Sequence, residues 1–112
     1  MKKNAKRKWD HAIPSSIVHI VYAICADYDR RACVTESNGY DGAVVQECHR
    51  LNTIVDNAMD DVECGIRRHM LNDIIYARGY ERSPCACFIA KNTYYARRRK
   101  VIHDIAFALN LL

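Results

Sequence analysis

The segment from Lys91 to Lys100 holds the side chains with the clearest chemical potential in this sequence, Lys-Asn-Thr-Tyr-Tyr-Ala-Arg-Arg-Arg-Lys. Arginine can donate two parallel hydrogen bonds to the O6 and N7 atoms of guanine, threonine offers a hydroxyl and a methyl group to base edges, and lysine neutralises phosphate. An asparagine that caps a helix leaves the first backbone N–H groups available to a phosphate. These residue types favour contact with double-stranded DNA.

A helical period continues from this segment into the apolar residues that follow it. With Ile102 at the centre of the buried face, Tyr95, Arg98 and Ile105 lie on the same side, and Thr93 and Lys100 lie opposite. We therefore predict Arg97 and Lys100 nearest the groove, Arg99 at the side as a phosphate contact, and the stem of Arg98 packed on the core. Tyr94 and its neighbour Tyr95 fit either core packing or a hydrogen bond to phosphate. The predicted DNA contacts of this helix are Lys91, Asn92, Thr93, Tyr94, Arg97, Arg99 and Lys100.

The N-terminal residues 1–12 are polar and cationic and predict a flexible basic arm. Lys6, Arg7 and Lys8 of this arm are further candidate contacts, either in the minor groove or by general electrostatic attraction. The net charge is +4, but the positive residues concentrate in the arm and in 97–100, which leaves the rest of the chain acidic. Such clustering favours a polyanionic partner.

The remaining sequence predicts an all-α fold, in which residues 13–112 form one small helical domain of four main helices and a short one. They are a first helix over 15–32, a second with an apolar stripe from Val44 to Val62, a third ending at Arg78–Gly79, a short element at 84–89 and a final helix over 92–109. The pattern leaves open whether residues 43–78 form one helix or two. The order of elements within 61–109 is that of a helix-turn-helix module. The apolar first helix and the long stripe also predict a homodimer.

The C-terminal residues resemble a known family. Met70–Tyr76, then Asn92–Arg99 and the apolar end Ile105–Leu112, are similar to the C-terminal part of small prophage transcriptional regulators of the RinA and ArpU kind, which resemble DNA-binding region 4 of sigma factors. The resemblance covers residues 66–112. It implies a transcriptional regulator in a bacterial host cell, whose basic C-terminal helix enters the major groove of DNA. The short element at 84–89 departs from the longer scaffold helix of that family.

Small helical phage proteins supply the alternative function. The chain also fits an anti-CRISPR-like inhibitor that binds a host defence protein or a nucleoprotein complex. A structural zinc ion held by Cys64, His69, Cys85 and Cys87 could accompany that function, although a Cys-x-Cys pair is a weak metal signature.

Other classes of protein are disfavoured by the sequence. We predict no enzyme and no cofactor, because His-Glu-x-x-His, Gly-x-Ser-x-Gly and Gly-rich phosphate loops are absent from the sequence. The longest uncharged apolar run, Ile17–Ala26, is shorter than the roughly 20 residues of a membrane span. The basic N-terminus lacks the apolar region of an export signal, so we expect a cytoplasmic protein with reduced, mostly buried cysteines.

Overall fold

The structure is a computed structural model, and it describes residues 12–112. All secondary structure in this range is helical, which confirms the all-α fold class. The α-helices are α1 (Ser15–Ala26), α2 (Tyr28–Glu36), α3 (Gly42–Met59), α4 (Arg67–Ile75) and α5 (Lys91–Ala108). Short 3-10 helices lie at Cys64–Ile66, Tyr80–Arg82 and Pro84–Cys87. Within this range no helix is long and apolar enough to cross a membrane.

The first predicted helix is wrong in one respect, because the chain turns at Asp27 and forms α1 and α2 instead of one helix. The buried guanidinium of Arg31 explains this corner. It donates to the backbone carbonyl of Ile24 at 2.5 Å and to Oδ1 of Asn52 on α3 at 2.6 Å. Asn52 in turn donates to the Tyr28 carbonyl at 3.1 Å. Backbone carbonyls at the end of α1 and the start of α2 thus receive side-chain donors, and three helices are held at one point.

The open question about residues 43–78 is answered by two separate helices. Helix α3 ends at Met59, and α4 begins at Arg67. Arg67 stabilises the intervening turn, since it donates to the carbonyls of Val62 at 2.8 Å and Asp60 at 2.9 Å. Gly65 lies in the 3-10 helix of this turn.

Helix α5 lies at the centre of the core. It packs against α1 and α3, and α1 packs against α4. Tyr94 and Ile105 of α5 are fully buried, as are Val21, Val55 and Ile74 of the surrounding helices. Helices α1 and α3 therefore bury part of their apolar faces against α5.

An apolar groove lies between α1 and α3, beyond the end of the core. Its volume is about 470 Å³, and Ile24, Val44 and Leu51 contribute to its wall. Val44 in this wall is 44% exposed. The described structure therefore leaves part of the predicted stripe of α3 uncovered.

Two tyrosines, the buried Tyr94 and the partly buried Tyr28, make the fold sensitive to alkaline pH. Burial, reinforced by hydrogen bonds to Asp73 and Asp56 respectively, raises the pKa of Tyr94 and of Tyr28 to about 12. Because these values lie above the value of about 10 for an unfolded chain, the stabilisation is complete below pH 10 and is lost as the pH rises towards 12. We expect the urea midpoint to fall over that interval. A Tyr94→Phe variant should show a smaller fall, and an equal fall in both proteins would contradict the assignment.

Candidate nucleic-acid interface

Helix α5 carries the predicted DNA contacts. It begins at Lys91, one residue before the start of the predicted helix over 92–109. Its N-cap is Ala90, with extended backbone and no capping side chain, and the Ala90 carbonyl accepts from the N–H of Tyr94 at 2.9 Å. The prediction that Asn92 caps the helix is therefore wrong. Asn92 lies in the first turn with its side chain exposed. The first N–H groups of the helix are still without a side-chain cap.

Tyr94 is also wrong as a DNA contact, because it is fully buried. Its hydroxyl donates to Oδ2 of Asp73 at 2.8 Å and accepts from Nη1 of Arg98 at 2.8 Å. Its ring lies edge-on to the rings of Tyr80 and Tyr95. Of the two alternatives for this residue, core packing is the one observed.

Arg98 is buried together with its charged group, and only 8% of the residue is exposed. The stem packs as predicted, but the guanidinium also stays inside the protein. It donates to the Arg78 carbonyl, to the hydroxyls of Tyr94 and Tyr22 at 2.8 and 3.3 Å, and to the Asp73 carbonyl at 3.5 Å. Arg98 thus links α5 to α1 and to the C-terminal end of α4.

Arg97 and Lys100, predicted to lie nearest the groove, are both paired with carboxylates. Arg97 makes two contacts of 3.2 Å with Glu63, and Lys100 contacts Asp104 at 2.6 Å and also Asp61. The hydrogen bond from Lys100 lowers the pKa of Asp61, and that from Arg97 lowers the pKa of Glu63. Both acids are therefore negative at neutral pH, and this flank of α5 carries no excess of positive charge.

The outward face of α5 is formed by other residues of the same segment. At about 100° per residue, Asn92, Ala96 and Arg99 follow one another along the side opposite Tyr94 and Ile105. Asn92 and Arg99 are exposed, and Ala96 and the adjacent Thr93 are partly exposed. We call Asn92, Thr93, Ala96 and Arg99 the α5 stripe. Arg99, predicted only as a lateral contact, is the cation that this stripe presents.

Lys91 lies at the start of α5 with its side chain exposed. It forms an ion pair of 2.8 Å with Glu81, whose side chain is also exposed. Exposed pairs of this kind contribute little to stability because solvent screens them, so a phosphate can replace the carboxylate at little cost. Lys6, Arg7 and Lys8 of the predicted arm lie outside the described residues.

The segment before α5 differs from the second helix of a helix-turn-helix module. Two 3-10 helices, Tyr80–Arg82 and Pro84–Cys87, occupy this place. Ser83 caps the second of them, because its hydroxyl accepts from the N–H of Cys85 at 3.0 Å. The Tyr80 N–H donates to the Tyr95 hydroxyl at 3.1 Å, and the Tyr80 hydroxyl donates to the Ile89 carbonyl at 2.7 Å. Tyr80 of this segment thus contacts Tyr94 and Tyr95 of α5.

The comparisons with known proteins leave the resemblance described above without further support. No protein-family description, no curated protein and no solved structure matches this chain significantly.

The candidate zinc residues do not come together. Cys85 is fully buried, whereas Cys64 and Cys87 are exposed. In residues 12–112, no three side chains of the ligating types His, Cys, Asp and Glu lie close enough to hold a metal ion. All six cysteines lie in this range as free thiols.

The residues that sequence reasoning missed are the acids that face the basic run. Asp61 and Glu63 lie 39 and 34 positions from their partners Lys100 and Arg97. The sequence signal for them is the run of acidic residues at 60–63, which precedes α4. Only the fold brings this run to the flank of α5.

Proposed function

We propose that this protein is a DNA-binding transcriptional regulator of the prophage kind, and that the α5 stripe enters the major groove. The observation that carries the proposal is the outward row of Asn92, Ala96 and Arg99 on the first turns of a rigidly packed helix. Asparagine pairs well with adenine, and arginine with guanine. Ala96 between them is small enough to let the helix approach the bases closely.

Charge balance assigns a second role to the N-terminal arm. Residues 12–112 contain as many acidic as basic residues. The general attraction to phosphate that DNA binding requires then depends on the predicted arm, with Lys6, Arg7 and Lys8. The resemblance of residues 66–112 to the RinA and ArpU kind of regulator agrees with the proposed function of α5.

The salt dependence of binding to duplex DNA tests the function. For about four contacted phosphates, the affinity should fall roughly a hundredfold between 50 and 200 mM salt, because bound counterions are released. We expect Arg99→Ala to weaken binding measured by fluorescence anisotropy. Arg68→Ala, which removes an exposed arginine from α4, is the matched control and should bind as the unchanged protein does. Absence of binding at 50 mM salt would exclude the proposed function.

A second candidate function is the anti-CRISPR-like inhibitor that binds a protein or a nucleoprotein complex. Exposed aromatic side chains favour it, since Tyr76 is 70% exposed and Phe88 is 67% exposed. Aromatic residues of this kind are enriched at the centres of protein interfaces. Capture of the same host protein from lysate with and without nuclease would support the inhibitor, whereas capture that nuclease abolishes would support DNA binding.

We propose a second copy of this chain as the occupant of the groove between α1 and α3. The ion pairs Arg30–Asp27 and Arg50–Glu47 lie beside it and present both signs of charge. Under two-fold symmetry the same patch meets itself, so a rim of mixed charge is self-complementary. We expect sedimentation velocity to show a dimer that Val44→Asp converts to a monomer. A monomeric unchanged protein at high concentration would contradict this prediction.

A further inference from the structure

A pocket lined by arginines lies beside the α5 stripe, between α1, the loop after α4 and α5. Its volume is about 340 Å³, and Arg78, Arg98 and Arg99 line it together with Tyr22 and Tyr95. Among the residues that the structure describes, no Asp or Glu contributes to its wall. The pocket therefore differs from the Arg97 and Lys100 flank, where carboxylates face each cation.

The two tyrosines of the pocket have their oxygen atoms engaged as acceptors. The Tyr22 hydroxyl accepts from Nη2 of Arg98 at 3.3 Å, and the Tyr95 hydroxyl accepts from the N–H of Tyr80 at 3.1 Å. A tyrosine hydroxyl that accepts still has its own proton to donate. Both side chains therefore suit a ligand that only accepts hydrogen bonds, which is the property of an anion.

Arg98 and Arg78 have different roles in the pocket. Arg98 commits its donors to protein oxygens and holds Tyr22 in place. Arg78 is 36% exposed at its side chain, and its Nε lies 3.3 Å from Oδ1 of the fully buried Asp73. That contact lacks hydrogen-bond geometry at both atoms. Among the described residues, Asp73 is the one carboxylate beside the guanidinium groups of Arg78 and Arg98, so these three side chains together carry an excess of positive charge.

We propose that this pocket binds a phosphate group of the DNA backbone, which Arg78 contacts through its guanidinium group and Tyr22 and Tyr95 contact through their hydroxyl protons. The inference rests on the proposed function, because the pocket adjoins the α5 stripe through Arg99. Guanidinium groups match the geometry of phosphate oxygens and bind them in pairs. The pocket then sets the side of α5 on which the DNA backbone lies.

Two variants in the full chain test this site by anisotropy with duplex DNA of several sequences. Arg78→Gln should weaken binding about five- to tenfold on all sequences alike and lower the slope of log K against log salt by about 1, because one phosphate contact is lost. Tyr22→Phe should weaken binding about threefold and leave the slope unchanged, because no charge is removed. Arg82→Gln, an exposed arginine outside the pocket, is the control and should change neither value.

The outcomes separate the pocket from the function. If the unchanged protein binds DNA but Arg78→Gln and Tyr22→Phe bind equally well, the pocket assignment fails and the function stands. If Arg78→Gln does not fold, as its circular dichroism would show, Tyr22→Phe decides alone.

If the unchanged protein binds no DNA, inorganic phosphate is used as the probe in place of DNA. Its binding is followed by NMR through the amide signals of Arg78 and Gly79. Shifts beyond those in sodium chloride of equal ionic strength, absent in Tyr22→Phe, would support a site for free phosphate. No such shifts would overturn the proposal.

Discussion

Replacement of Arg98 by alanine should lower the free energy of unfolding by about 3 kcal/mol or more, since it removes a buried group with several hydrogen bonds. The carbonyls of Arg78 and Asp73 and the hydroxyl of Tyr94 would lose a donor inside the protein. A buried acceptor without a partner costs about 1–3 kcal/mol. Urea denaturation followed by circular dichroism measures the loss.

The neighbouring arginine is the control for this experiment. Arg99 is exposed, and its replacement by alanine should change the free energy of unfolding by no more than about 0.5 kcal/mol. The two variants should also differ in function, because Arg99→Ala weakens DNA binding and leaves the fold intact. A loss below about 1 kcal/mol for Arg98→Ala would show that water replaces its hydrogen bonds.

Removal of the acids beside α5 should tighten DNA binding. The double variant Asp61→Asn, Glu63→Gln leaves Lys100 with Asp104 alone and Arg97 without Glu63. At about 0.1 M salt each cation that gains a phosphate strengthens binding about tenfold. The pairs are largely exposed, so the cost in stability is about 1 kcal/mol or less for each. Anisotropy titrations over a range of salt concentrations measure the gain and the steeper slope.

An acid elsewhere provides the matched control for this gain. Asp29 pairs with Arg68 on α4 much as Glu63 pairs with Arg97. Asp29→Asn changes the net charge in the same direction, but it frees an arginine outside the α5 stripe. If the double variant gained no more affinity than expected from two such changes, Arg97 and Lys100 would not lie beside the DNA.

The sequence predicts the helices well because their apolar residues repeat at helical spacing. It does not predict the corner at Asp27, since this depends on Arg31, whose buried guanidinium finds its partners only in the assembled fold. The sequence does not predict the end of α3 at Met59 for a similar reason. Arg67 stabilises the turn by donating to backbone carbonyls, and the spacing of residues in the sequence does not predict such a contact.

The rotation of α5 about its axis is harder to predict from the sequence than its position in the chain, as Tyr94 shows. The apolar period alone centres the buried face on Ile102, whereas the observed buried face includes Ile102 but extends to Tyr94 and Val101. A buried arginine in the middle of this face weakens the apolar signal that fixes the rotation of a helix. The candidate DNA contacts were therefore displaced around the helix towards Arg97. The partners of that residue and of Lys100 lie too far away in sequence to be inferred from it.

The central place of α5 has a consequence for the synthesis of the protein. This helix follows α1, α3 and α4 in the chain, so it leaves the ribosome after them. Until it emerges, the earlier helices lack Tyr94 and Ile105, which belong to the same buried cluster as Val21 and Val55, and they cannot form their final core. Native packing must then be reached after α5 is made, and the nascent chain exposes its apolar helices to chaperones until that moment.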